Sequence, residues 1–267
     1  MSRQPAPMRA RKRFGQNFLQ DHGVIERIVR SIHPQKGDRL VEIGPGQGAL
    51  TEELLAAHGS LEAIELDRDL IPGLRTRFFN YPDFNITEGD ALAFDFRTFC
   101  GEGAPLRVVG NLPYNISTPL IFHLLGAGDA VRDMHFMLQK EVVARLAAEP
   151  GTGQWGRLSV MTRYYCQVES LFDVPPEAFF PQPKVDSSIV RLIPWQVRPH
   201  VAHDEELLSN LVRRAFSQRR KTLRNNLRDV LSAETLESLE IAPARRPETL
   251  SVGEFVTIAN HLFENAS

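Results

Sequence analysis

The sequence predicts an α/β protein: a doubly wound, largely parallel sheet with an antiparallel addition at one edge, followed by a small all-helical domain. Three observations carry this. Short apolar runs alternate with amphipathic stretches from Arg39 to Pro150, two further β-like stretches follow with no long helix between them, and beyond His203 the pattern is helical throughout. With 267 residues and 42 % hydrophobic content, the chain can build one large core and an appendage.

The elements follow in order. "RLVEIG" precedes "GALTEELLAAH", "SLEAIEL" precedes "DRDLIPGLRTRF", and "FNITEG" precedes "DALAFDF"; "LRVVGN" then leads to "STPLIFHLLGAG", and "DMHFMLQ" to "KEVVARLAAEP". Apolar runs separated by helices need crossover connections, which produce parallel strands covered on both faces. "YYCQVESLFDV" and "SSIVRLIPW", separated by the Pro-rich "PPEAFFPQPKVD", predict strands paired antiparallel at one edge. The helical part reads "HDEELLSNLVRRAF", "QRRKTLRNNLRDVL", "SAETLESL" and "SVGEFVTIANHLF". Expected limits are a basic arm over 1–20, an α/β domain over 21–198 and a helical domain over 199–267.

Several classes are excluded. No apolar run approaches the ~18 residues of a membrane span, and no apolar block follows the basic start as in a secretory signal. A cytoplasmic protein is expected. Cys100 and Cys166 lack metal spacing and read as core residues of a reduced compartment, so no metal site is expected.

The net charge of −2 hides an asymmetry. Five of the 31 basic groups (Arg3, Arg9, Arg11, Lys12, Arg13) lie in residues 1–20, and seven (Arg213, Arg214, Arg219, Arg220, Lys221, Arg224, Arg228) in 207–228. Neither segment holds an acid, so two basic surfaces sit on an acidic body, the pattern of a protein that meets a polyanion. The bland alternative is two solvated faces. On one continuous helix Arg213, Arg220, Arg224 and Arg228 would form a single stripe; a break near Ser217 would fan the charges more widely.

"VEIGPGQGALTEELL" places Gly44, Gly46 and Gly48 between the first strand of the series and its helix. Glycines there allow a sharp turn and close backbone approach to a ligand at a helix N-terminus. The loop could equally be only a tight turn. Its G-x-G-x-G spacing differs from the dinucleotide fingerprint, and Glu42 stands two residues before it. The next strand ends at Glu65, placed to accept from ribose hydroxyls, and the third at Asp90, which can accept from an adenine amino group or simply cap a helix. Together they describe a nucleoside pocket. No basic phosphate grip accompanies it, which favours a nucleoside without phosphate.

The fourth strand ends in "VVGNLPYNIST". If the cofactor is S-adenosylmethionine, this corner lies beside its methyl group and is suited to hold an exocyclic amine. The Asn111 side-chain oxygen and the Leu112 carbonyl can each accept one N–H, Pro113 stiffens the corner, and Tyr114 can stack on the base. Asn is no base at neutral pH, so catalysis would rest on positioning and electrostatics.

"FGQNFLQD", "EIGPGQGALT", "AIELDRDL", "EGDALAFD", "NLPYNISTPL" and "FFPQPKVDSSIVRL" resemble, in order and spacing, the adenine dimethyltransferases that modify small-subunit ribosomal RNA. The likeness runs from about Arg11 to the C-terminus, "RRAFSQRRKTLRNNL" included. It implies a Rossmann-like methyltransferase sheet, S-adenosyl-L-methionine as cofactor, and two adjacent N6,N6-dimethyladenosines near the 3′ end of the RNA as products. It further implies that Asn17 and Leu19 help close the cofactor site, that Gly44, Gly46, Glu65, Asp90 and Asn111 bind the cofactor, and that Asn111, Leu112 and Tyr114 hold the adenine. Phe179 or Phe180 would stack on the other face of the base, and Gln182 stands where the family often has another residue. The implied partner is ribosomal RNA within a pre-ribosomal particle, met by a monomer. Resistance methyltransferases of large-subunit RNA share the amine corner, but "FGQNFL", "PKVDS" and "SQRRKTLRNNL" look closer to the small-subunit family. A binding factor that escorts an assembling subunit is the alternative of a different class, and a nicotinamide dehydrogenase fails on glycine spacing.

Overall fold

The apolar run 106–111 becomes the strand on which the rest is arranged. In the computed structural model, which describes residues 17–100, 103–113, 115–218 and 220–266, the elements are β1 (Phe18–Leu19), α1 (His22–Ile32), β2 (Arg39–Ile43), α2 (Ala49–His58), β3 (Leu61–Glu65), α3 (Ile71–Arg77), β4 (Phe84–Glu88), α4 (Arg97–Cys100), β5 (Leu106–Asn111), α5 (Ser117–Leu125) and β6 (Val131–Gln139). There follow α6 (Lys140–Leu146), α7 (Arg157–Tyr165), β7 (Cys166–Val174), β8 (Phe179–Phe180), β9 (Ser187–Pro194), α8 (Glu205–Ala215), α9 (Leu223–Leu227), α10 (Ala233–Ser238) and α11 (Val252–Glu264). The expectations for Arg3, Arg9, Arg11, Lys12, Arg13, Tyr114 and Arg219 lie outside the described residues.

Seven strands form one sheet in the order β4-β3-β2-β5-β6-β9-β7. β2 to β6 run parallel, and β9 adds antiparallel to β6. The doubly wound core and its antiparallel addition are therefore present as expected. A second, two-stranded sheet pairs β1 with β8, setting Phe18 opposite Phe180 and Leu19 opposite Phe179.

The chain divides into two compact units, one up to Lys140 with Ser170–Leu192, the other Glu141–Glu169 with Ile193–Ser267. The helical unit therefore takes in α6 and α7, which the sequence pattern places with the sheet. Its polar contacts account for this. Trp155 Nε1 donates to the Leu250 carbonyl at 2.9 Å, Gly151 N to the Glu248 carbonyl at 2.7 Å, and Tyr165 Oη to Glu205 Oε2 at 2.8 Å. Helix α7 ends at Tyr165, so the strand expected from Tyr164 begins only at Cys166.

One other expectation is corrected. No helix covers "DALAFDF": Asp90 Oδ1 accepts from Leu92 N and Asp95 Oδ1 from Arg97 N, and such bonds two residues on favour turns. Helix α4 starts only at Arg97. Of the two arrangements open for the basic segment, the break near Ser217 is the one present: α8 ends at Ala215 and α9 begins at Leu223. Buried Asn226 sends its Nδ2 to the Ala215 carbonyl at 2.6 Å and the Gln218 carbonyl at 3.3 Å, satisfying the end of α8 and the turn after it. The charges are therefore spread over two helices and a turn.

In the sheet-bearing unit, buried Arg107 on β5 pins α1. Its Nη2 donates to the Ile32 carbonyl at 2.6 Å, its Nη1 to Asp38 Oδ2 at 2.7 Å, and its Nε to both Asp133 oxygens at 3.1 Å. Burial works to raise the Asp133 carboxyl, but His135 and Arg107 beside it hold it below the usual range; Asp38 is lowered likewise, against its own burial, by the Gln35 N–H and Arg107. Arg107→Met should cost about 3–5 kcal/mol at neutral pH, because it strips buried Asp133 of its guanidinium partner and leaves Asp38 with Arg132 and the Gln35 N–H. Since the native carboxyls are depressed, their contribution is present above about pH 4 and lost as pH falls through the native values. Urea unfolding of both proteins across pH should show the deficit shrinking in acid.

Candidate active site

Strand tips in a parallel sheet present backbone and side chains along one edge, and here four consecutive tips line one cleft. The loop after β2 contributes Gly44 to Gln47, β3 contributes Glu65 and its successors, the turn after β4 contributes Gly89 to Ala91, and β5 contributes Gly110 to Pro113. Asn17, Phe18 and Leu19 close it from the N-terminal side. Of the expected site residues, Asn17, Leu19, Gly44, Gly46, Glu65, Asp90, Asn111, Leu112 and Pro113 are thus brought together.

The glycine loop needs its glycines. Gly44 and Gly46 have φ of 69° and 60°, which side chains rarely adopt. A Cβ on Gly46 would lie 3.2 Å from the Phe18 ring, whereas at Gly44 it would enter open space, where a ligand can approach the backbone.

Glu65 is oriented by backbone donors: Oε2 accepts from Gly46 N at 3.2 Å and Oε1 from Asp67 N at 2.8 Å. A carboxylate offers about four acceptor sites, so both oxygens keep capacity toward the cleft. Burial raises its pKa, with the two N–H donors working against the rise. Asp90 is exposed and engaged in its own turn.

At the corner, Asn111 Nδ2 donates to the Asn17 carbonyl at 3.0 Å. The amide is thereby fixed with its nitrogen on the backbone, leaving its oxygen as the acceptor. Leu112 is buried and its N–H bonds the Met137 carbonyl at 3.2 Å. Of the two phenylalanines, Phe179 packs in the core at 4 % exposure while Phe180 is 63 % exposed, and both are held beside Phe18 and Leu19 by the β1–β8 pairing.

Other residues of the cleft wall escape sequence reasoning. Glu42 is wholly buried, accepts from Thr51 Oγ1 at 2.6 Å, and is pushed up to about 7 by burial, with the Glu65 charge adding to the rise. Its inward position on an apolar strand was the available signal. Leu66 is a large apolar side chain 52 % exposed at the cleft, directly after Glu65. His135 and Met137 of β6 also line it.

In the helical unit Arg213, Arg220, Lys221, Arg224 and Arg228 are exposed. Arg214 and Arg228 both reach Asp229, at 3.0 Å and 3.5 Å. Arg220, Lys221 and Arg224 form no ion pair among the described residues, where no group of metal-ligating side chains and no helix long and apolar enough to cross a membrane occurs either.

The fold and the site define a Rossmann-like methyltransferase. The chain belongs to the ribosomal RNA adenine dimethylase family, whose model matches residues 8–264. It is 67 % identical over 270 residues to ribosomal RNA small subunit methyltransferase A of Chromohalobacter salexigens, covering all of this chain and 96 % of that protein. It is 61 % identical to the protein of the same name from Pseudomonas aeruginosa, covering 96 % of each. Among solved structures, a dimethyladenosine transferase from Plasmodium falciparum superposes with a TM-score of 0.80 at 26 % identity, over 93 % of this chain and 98 % of that one. The 23S rRNA methyltransferase ErmE shares the fold, with a TM-score of 0.73 at 24 % identity over 92 % of this chain and all of that one.

The raised Glu42 carboxyl has a measurable sign. The fold favours its protonated form, so its contribution is complete below about pH 4.5 and lost as pH rises through about 7. Glu42→Gln should therefore gain stability on wild type across that window, by up to about 3 kcal/mol, read from denaturation midpoints against pH.

Proposed function

We propose that the protein transfers methyl groups from S-adenosylmethionine to N6 of two adjacent adenosines near the 3′ end of small-subunit (16S) ribosomal RNA, acting as a cytoplasmic monomer on assembling small subunits. The observation that carries the reading is the Asn111 amide, anchored through its nitrogen to the Asn17 carbonyl so that an oxygen acceptor stands at the end of β5.

The residues present suit the cofactor. Open space at Gly44 admits a ligand against the backbone, Glu65 offers two oriented oxygens to ribose hydroxyls, Asp90 can accept from the adenine amine, and exposed Leu66 supplies an apolar face for its ring. When bound, S-adenosylmethionine supplies a methyl group activated by a sulfonium centre. The chain's task is then to present the target amine. The nitrogen lone pair of adenine N6 is delocalised into the ring, and engaging both N–H groups out of the ring plane frees it to react. Asn111 Oδ1 takes one of those hydrogens and the Leu112 carbonyl the other, while Pro113 holds the corner rigid. Tyr114 stacks on one face of the base. Phe180, with its exposed ring, takes the other, and Phe179 anchors the strand from the core. Arg213, Arg214, Arg219, Arg220, Lys221, Arg224 and Arg228 meet phosphates, which positions the particle without reading sequence.

Small subunits lacking the modification, incubated with labelled S-adenosylmethionine and digested to nucleosides, should yield labelled N6,N6-dimethyladenosine, with N6-methyladenosine as its precursor; label in any nucleoside other than these two would overturn the reading. Glu65→Ala should weaken S-adenosylmethionine binding by roughly 1.5–3 kcal/mol in calorimetry, the scale of a hydrogen bond to a charged acceptor. Replacing Arg220, Lys221 and Arg224 together by Ala should weaken particle binding and flatten its salt dependence by about 0.7–0.9 in log–log slope for each phosphate left without its cation. Affinity for S-adenosylmethionine should be unchanged in that triple variant, and a salt series on both ligands checks it.

A further inference from the structure

The helical unit holds a second cavity, of about 200 Å³, with no residue in common with the cleft. Both tryptophans of the chain, Trp155 and Trp195, line it, with Tyr164, His200, Glu149 and Arg163. The aromatic walls are fixed from behind. Trp155 Nε1 donates to the Leu250 carbonyl at 2.9 Å and Trp195 Nε1 to the Arg163 carbonyl at 3.0 Å, so both indole N–H groups are satisfied within the unit. The Tyr164 hydroxyl accepts from Ala202 N at 3.2 Å. A Cβ on Gly253, in the first turn of α11, would lie 2.7 Å from the His200 ring, so glycine there lets the imidazole rest against the helix.

The cavity has a floor and a mouth. Trp155 and Tyr164 are buried, Trp195 is partly exposed, and Glu149, Pro199 and His200 are exposed. Its charged groups keep unused hydrogen-bonding capacity. A guanidinium carries five N–H donors; Arg163 spends Nε on the Ala148 carbonyl at 2.9 Å and Nη2 on the Ala147 carbonyl at 2.9 Å and on Glu149 Oε1, while Nη1 makes no hydrogen bond among the described residues. Glu149 meets Arg163 through one oxygen, and its side chain is otherwise largely exposed.

Aromatic walls with a donor and an acceptor among them suit a nucleobase, whose faces stack and whose edge carries both kinds of group. An anion alone would meet the Glu149 carboxylate, and an apolar side chain would use neither polar group. The same unit carries Arg220, Lys221 and Arg224, exposed and outside any ion pair among the described residues, which attract a polyanionic strand to it. We propose that this cavity receives one unpaired nucleobase of the ribosomal RNA, stacked on Trp195, outside the methyl-transfer site. The cations meet phosphate wherever it lies, whereas this contact exists only where the folded RNA leaves a base unpaired.

The inference rests on the ribosomal RNA reading, and its test separates the two. Since both tryptophans line the cavity, intrinsic tryptophan emission reports on it. Wild type titrated with a single-stranded oligoribonucleotide of mixed sequence should lose emission, while an abasic sugar–phosphate chain of the same length should leave it unchanged. Trp195→Ala should lower affinity for unmodified small subunits about tenfold at every salt concentration, with an unchanged salt slope because no cation is lost. Its affinity for S-adenosylmethionine should match wild type, because no residue lining the cleft belongs to this unit. The same emission change with both chains, or none with either, overturns the proposal, as does a Trp195→Ala variant with wild-type affinity for small subunits. Weakened subunit binding without quenching by the oligoribonucleotide gives the cavity to a protein side chain and overturns it too. A wild type that does not bind small subunits overturns the ribosomal RNA reading as well, whereas binding without quenching overturns the proposal alone. Should Trp195→Ala fail to fold, the two titrations of the wild type decide.

Discussion

The hydrogen bond from Asn111 Nδ2 to the Asn17 carbonyl is the contact on which the site depends. It joins the tip of the central strand to the segment that closes the cleft, and it decides which end of the amide faces a substrate. Its own geometry is secured from both sides. The Asn17 side is held by the β1–β8 pairing, by Gln20 N on the Ala178 carbonyl at 2.8 Å, and by Asp21, whose side chain caps α1 through Val24 N at 3.0 Å. The Asn111 side is held by the parallel ladders of β5 with β2 and β6. Arg107, four residues before Asn111 on the same strand, grips the other end of α1. One strand thus fixes both the helix that follows the closing segment and the amide that meets it.

The electrostatics of the cleft follow from this frame. Glu42 and Glu65 are both buried, and the Glu65 charge adds to the rise at Glu42, so the wall beneath the glycine loop is rich in carboxyls that resist ionisation. The amine corner beside them carries no charge. A cation entering the cleft would favour the ionised form of those carboxyls, whereas the uncharged corner suits a neutral polar group.

The alternating pattern of strands and helices was legible because a parallel sheet buries both faces and therefore writes continuous apolar runs into the chain. The strand-tip residues were legible for a related reason: Glu65, Asp90 and Asn111 are polar residues at the ends of apolar runs. What escaped was set by tertiary contact. The β8 strand is two residues inside a Pro-rich linker and exists only because Phe18 and Leu19 pair with it. The "DALAFDF" stretch has helical spacing, but its aspartates spend their side chains on local turns. The break near Ser217 in the basic segment was one of two arrangements the sequence left open, and Asn226, an ordinary polar residue in sequence, decides it by satisfying carbonyls at the end of α8. His135 gave the weakest signal of all, one polar residue at an inward position of an apolar strand.

The choice of Asn at position 111 follows from the same contacts. An Asp there would turn a carboxylate oxygen toward the Asn17 carbonyl, setting two acceptors against each other where Nδ2 now donates. It would also add a carboxyl to a cleft whose Glu42 and Glu65 are already raised by burial, and further like charge would raise both further. A protonated Asp could turn its O–H to the Asn17 carbonyl and keep an acceptor oxygen, but only while the pH stays below its pKa. A neutral amide alone keeps both capacities, donating to the closing segment and offering an acceptor to the cleft, at any pH the fold survives. The consequence is a corner that presents a fixed acceptor and has no side chain able to hold a proton at neutral pH among its described residues.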